Sequence, residues 1–241
     1  MRYVSPWSKK GPIQRQIIAQ SVDSYFSLCL GIGIVAIALP FLLVAVGGLH
    51  ENYSISFFYH RGGWSRDIFV GSLWATGVFL ILYQGYTFWE WMFLNLAGVC
   101  AIGVAMVPMG TVQCPCEVAA GAQAISTVVA ACDQFRFSWH LAFAVAFFAC
   151  LFVVSVFLGK VGLERIIHPP LRERLRWAYN VIGFGMIVIP GGIVLAHALF
   201  TLPCKSHWVF WLEAVAIWLF GAYWFVKLYE LRLLVGRPRR D

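Results

Sequence analysis

Six stretches of this 241-residue chain run for about twenty residues or more with almost no charge, at 25–48, 67–86, 91–109, 137–158, 177–200 and 208–226. Nothing else in the sequence constrains the fold as strongly. A hydrocarbon core of roughly 30 Å takes about 20 helical residues to cross. Lipid offers no hydrogen-bond partners, so a spanning backbone must pair within itself. The expected fold is therefore all-α, a polytopic six-helix transmembrane bundle in a single membrane domain, 1–241. Only 12% of the residues are charged while 61% are apolar. That balance excludes an ordinary soluble domain, a disordered chain and a nucleic-acid-binding module.

Charge sets the direction of threading. Alternate connections hold Arg2, Lys9, Lys10 and Arg15, then Lys160, Arg165, Arg172, Arg174 and Arg176, then Lys227, Arg232, Arg237, Arg239 and Arg240. The other side has only Arg61, Arg66, Arg136 and Lys205. The positive-inside rule then predicts both termini in the cytoplasm and a multi-pass protein of the plasma (inner) membrane. The first apolar run is longer than a signal-peptide core and is expected to be retained. Trp91, Trp177, Trp208, Tyr25 and Tyr86 fall at span ends, where amphipathic rings favour the headgroup level. Gly98, Ala101, Gly103 and Ala105 in the third span predict close approach of a neighbouring helix. Pro40 and Pro190-Gly191-Gly192 predict bends in the first and fifth.

The cysteines divide by side. Cys29, Cys100 and Cys150 fall in spans, whereas Cys114, Cys116, Cys132 and Cys204 fall in the two later outer loops. Four cysteines on an oxidising face predict one or two disulfides. Direct pairing across Pro115 would be strained, which favours bonds from Cys114 and Cys116 to Cys132 and Cys204. A soft-metal or redox site is the alternative for the Cys-Pro-Cys unit. The apolar stretch between Cys116 and Cys132 is too short to cross and reads as an outer lid or a loop pinned at both ends.

Candidate chemistry lies where ionisable residues enter the membrane. His140 and His197 each lie about one turn from the outer boundary, Glu213 between one and two turns, and Asp67 opens the second span at that level. Two imidazoles and a carboxylate can hold one divalent metal such as zinc, so His140, His197 and Asp67 are the candidate ligands. Glu213 is the candidate proton carrier, with Ser54 or Ser56 as nucleophile or orienting hydroxyl. Arg66, Tyr59 and His60 are candidate binding residues for a lipid headgroup. The alternative is that these groups only satisfy one another, in a non-catalytic structural or lipid-binding subunit with membrane-protein partners. On the cytoplasmic side Glu90, Asn95, Asn180, Tyr83 and Gln84 form a second polar group, expected to bond across helices. No acid or histidine occupies the central layers, which disfavours a proton pump. Membrane lipids are the expected partners, and nucleic acid is not.

The runs Ser54-Ile55-Ser56-Phe57-Phe58-Tyr59-His60, Arg66-Asp67-Ile68-Phe69-Val70-Gly71, Tyr83-Gln84-Gly85-Tyr86, Asn95-Leu96-Ala97-Gly98 and Trp211-Leu212-Glu213-Ala214, with His140, carry a resemblance. In these the chain resembles bacterial six-helix membrane proteins to which no activity is assigned. By residue types and placement it is loosely similar to the ceramidase-like superfamily of membrane metal-dependent hydrolases, whose sites combine Ser, Asp and His. The last span here offers Glu213 in place of a His-x-x-x-His pair. The Ser-Ile-Ser stretch is also a little like the Frag1/DRAM/Sfk1 six-helix proteins, which implies lipid handling without catalysis.

Overall fold

The computed structural model describes residues 12–49, 54–107, 139–199 and 207–235. Among them every element is helical: α1 (Pro12–Gly47), a 3₁₀ turn (Ile55–Tyr59), α2 (Gly63–Leu82), α3 (Phe88–Met106), α4 (Trp139–Val153), α5 (Pro169–Leu199) and α6 (Trp208–Val235). A π turn, Val154–Leu158, continues α4, and a second 3₁₀ turn, Val161–Arg165, leads towards α5. Five segments are long and apolar enough to cross a membrane: Gln20–Gly47, Gly63–Leu82, Phe88–Met106, Trp139–Arg165 and Val209–Val235. The protein is thus a multi-pass helical membrane protein.

Each helix packs against the next in the chain, and α6 returns to α1, so the bundle closes as a ring. Its interior is filled by Leu94, Leu151, Tyr179, Tyr223 and Trp224, all essentially inaccessible. The small residues of α3 act on two sides. A methyl group at Gly98 would lie 2.6 Å from the Gly77 carbonyl of α2, and one at Gly77 would lie 2.7 Å from that of Gly98. On the opposite flank Gly103 meets the Phe143 ring of α4, where a methyl group would come within 2.7 Å. Glycine is therefore required where α2 and α3 cross backbone to backbone.

Three boundaries differ most from the sequence reading, one of them the start of α5 at Pro169, eight residues before position 177. α1 begins at Pro12, thirteen residues before position 25, and α6 ends at Val235, nine residues beyond 226. The sequence limits at 25, 177 and 226 stand at the nearest charged or aromatic flank. A helix continues past a charge wherever that charge finds a partner or water, and Lys227 finds a buried partner. Two aromatic residues also turn inward. Tyr25 sets its ring edge-on to Tyr83 at 5.5 Å, and Tyr86 presents its ring to the Lys227 ammonium at 4.4 Å.

Candidate functional sites at the two ends of the bundle

Glu213 and Lys227 lie fourteen residues apart on α6, which places them about 21 Å apart along the axis. Each anchors one polar group. At the Glu213 end, Gly48 closes α1 with φ 70, a left-handed conformation that glycine adopts without strain. The following 3₁₀ turn lays Ile55 and Phe58 into a small apolar cluster with Leu39, Leu43, Phe69 and Phe210. Ser54 caps this turn, its hydroxyl accepting from the Phe57 N–H at 3.2 Å. The Ile55 N–H donates to Glu213 Oε2 at 2.5 Å. The fold thus sets Glu213 beside residues 54–56, the stretch expected to share its site.

The other candidates at this end have separate partners. His140 is buried, and its Nδ1 lies 2.7 Å from the Val107 carbonyl at the end of α3. A carbonyl can only accept, so Nδ1 carries the proton and Nε2 the lone pair. Arg66 reaches the Tyr59 hydroxyl at 3.2 Å and stacks over its ring at 4.7 Å, rather than pairing with Asp67 or Glu213. His60 ends the 3₁₀ turn with its ring 5.5 Å from that of Tyr59. Asp67 is exposed on the first turns of α2, and Ser56 is half-buried. His197 lies on α5, but its side chain falls outside the description, as do Cys114, Cys116, Cys132 and Cys204 with the stretch between Cys116 and Cys132. Among the described residues no three His, Cys, Asp or Glu side chains come together as a metal site would need. Cys29, Cys100 and Cys150 are free thiols. The recess between α1 and α6 at this end, about 190 Å³, is walled by Pro40, Phe41, Val44, Phe210, Trp211 and Trp218, all apolar or aromatic.

The opposite end holds a denser group. Glu90, Lys227 and Glu230 are all fully buried. Thr87 and Glu90 form a variant of the capping box: the Thr87 hydroxyl accepts from the Glu90 N–H at 3.2 Å, while Glu90 Oε2 accepts from the Tyr86 N–H at 2.8 Å. The other oxygen, Oε1, faces the Lys227 ammonium at 3.6 Å. Lys227 donates to the Gly159 carbonyl at 2.9 Å, where the π turn ends and backbone acceptors lack helical partners. Glu230 Oε2 stands 3.6 Å from the same ammonium and accepts from the Tyr179 hydroxyl at 2.5 Å. Its Oε1 lies against Gly162, where a methyl group would have no room. Neither Glu90 Oε1 nor Glu230 Oε1 has a hydrogen-bond donor among the described residues.

Five chain segments therefore converge on one ammonium: the α2–α3 turn through Tyr86, α3, the end of the π turn, α5 through Tyr179, and α6 itself. In the turn between α2 and α3, burial holds the hydroxyls of Tyr83 and Tyr86 above their ordinary range, with nearby ionisable groups adding to the effect. Both are neutral at physiological pH. Asn95 bonds back to the Trp91 carbonyl of its own helix at 2.7 Å rather than across helices. Asn180 accepts from Lys160 of the α4–α5 connection, and Gln84 accepts from Tyr25 of α1 at 3.5 Å.

Reading from the sequence included Glu90 in this group but missed Lys227, Glu230 and Tyr179. In the sequence Lys227 reads only as a topology charge. The signal was available: Phe220, Tyr223, Trp224, Lys227 and Glu230 repeat at three- and four-residue steps, which puts the two charges on the same face as the core aromatics. Thr87-x-x-Glu90 likewise marks a helix start whose carboxylate turns back onto the backbone. Comparison with protein-family models, with curated proteins and with solved structures finds no match to this chain.

Proposed function

We propose that this chain is a six-span protein of the plasma (inner) membrane with both termini cytoplasmic, acting without covalent chemistry as a lipid-binding or structural subunit. α5 supplies the sixth span: its 31 residues reach about 46 Å, longer than the hydrocarbon core. The distribution of Lys and Arg supports the orientation, with 14 of 18 on the side that holds both termini. The observation that carries the non-catalytic reading is the dispersal of the outer polar groups. Glu213 is bonded to Ile55, His140 to Val107 and Arg66 to Tyr59, each on a different pair of elements.

One observation favours a second reading, a metal-dependent lipid hydrolase. Glu213 does lie beside Ser54 and Ser56, and His140 keeps Nε2 for a ligand in the tautomer common among metal-bound histidines. Elemental analysis of detergent-purified wild type beside His140→Ala and His197→Ala separates the two. The non-catalytic reading expects no near-stoichiometric metal in folded wild type. A stoichiometric divalent metal lost in both variants would overturn it and make zinc-dependent hydrolysis the working mechanism. Reporter fusions at each terminus test the orientation, both being expected to read cytoplasmic.

A further inference from the structure

The seam between α4 and α5 ends in two cations that the buried ionic group does not use. Lys160, just past the π turn, donates to Asn180 Oδ1 of α5. Arg176 stands one turn before Asn180 on the same face of α5, so it rises from the end of the seam at which Lys160 is held. Like charges held together repel unless an anion sits between them. The acid that answers Arg176 is Glu173, at 3.3 Å, in an exposed bridge whose two side chains are 45% and 58% accessible. Bridges of that kind are weak and exchange readily with other anions.

The surface leading away from these cations is open and aromatic. Arg176, Asn180 and Phe184 follow one another at four-residue steps on a single helix face. The Phe184 ring meets Phe152 of α4 at 5.3 Å, and Phe152 meets Phe157 at 5.9 Å. Phe184 is 51% exposed and Phe157 65%, so these rings wall the seam without filling it. The seam is narrow at its base, where Gly183 admits the Val156 and Ser155 side chains of the π turn.

We propose that this seam binds one anionic phospholipid, its phosphate between Lys160 and Arg176 and an acyl chain against Phe157 and Phe184. The inference rests on the lipid-binding reading above and gives it a headgroup class. Charge decides that class, because the ammonium of a zwitterionic headgroup would be brought towards two cations, whereas a phosphate without one is attracted by both. Among the described residues, these two cations stand together at the mouth of the aromatic-lined seam.

The test is native mass spectrometry of the full chain in detergent, titrated with phosphatidylglycerol or phosphatidylcholine, for wild type, Arg176→Gln and the double variant Lys160→Gln with Arg176→Gln. Wild type is expected to bind phosphatidylglycerol preferentially, and the double variant to lose roughly ten- to thirtyfold in affinity, from about 1 kcal/mol for each cation at a membrane surface. Arg176→Gln alone is expected to lose a smaller part, and because that side chain is half-exposed the variant keeps its fold. Arg174→Gln, exposed at the same end, is expected to change nothing. Equal binding of both lipids, or unchanged selectivity in the Arg176→Gln and double variants, overturns the seam while leaving lipid binding intact. Wild type that retains neither lipid overturns the lipid-binding reading itself. Equal occupancy by glycerol phosphate alone would make this a site for free phosphate and overturn the role of the aromatic walls.

Discussion

The two polar ends of α6 handle charge in opposite ways. Glu213 is half-buried and spends one oxygen on a single backbone N–H, so it ties one short turn to one helix. Lys227 is fully buried and is held by two carboxylates, a helix-end carbonyl and a tyrosine ring from neighbouring segments. The contrast shows how cost scales with desolvation. A carboxylate that is only partly enclosed is met by one partner, whereas a charge shut in completely needs several and recruits whole helices to provide them.

The largest effect is therefore expected at Lys227. Lys227→Met leaves two buried carboxylates without their counter-ion and should cost roughly 3–5 kcal/mol, read as a sharply lowered melting temperature in detergent or as failure to accumulate. Adding Glu90→Gln and Glu230→Gln to that variant should recover much of the loss. If Lys227→Met melted no lower than a Glu213 variant, the contrast between the two ends would collapse.

Next in size is Gly162→Ala, whose methyl group would press on Glu230 Oε1 and force the buried carboxylate or the 3₁₀ turn to move. Overpacking of this kind costs about 1–3 kcal/mol. Glu213→Gln keeps an acceptor for the Ile55 N–H and loses only the charge, so about 1 kcal/mol is expected, with faster amide exchange at Ile55 as its local signature. The smallest effect belongs to Glu173→Ala, where two exposed bridges to Arg172 and Arg176 disappear and the melting temperature should move by less than about 0.5 kcal/mol equivalent. A larger effect there would show that the exposed charges at this end act as a network rather than singly.

Much of the architecture was legible because lipid leaves the chain few choices. Charge-free runs of spanning length became helices, and Gly98 and Gly103 became close approaches, since both follow from local composition. The ends of α1 and α6 were less legible. Their limits depend on whether a flanking charge meets water or another side chain, and Lys227 meets Glu90, which lies 137 positions away in the chain. The site divided in the same manner. Placing Glu213 at the level of Ser54 and Ser56 required only counting turns, and the Ile55 N–H between the two serines does reach Glu213. The separate partners of His140 and Arg66 depended on which neighbour each side chain faces, which span lengths do not encode.

The sequence by itself determined that this is a helical membrane protein and which stretches are helical, though not where each helix ends, because hydropathy and the 1.5 Å rise act residue by residue. Only the tertiary structure decided which charges are buried and by whom they are answered. Desolvation is a property of the packed neighbourhood, and at Lys227 that neighbourhood is assembled from residues 86, 90, 159, 179 and 230, which meet only when the ring of helices closes.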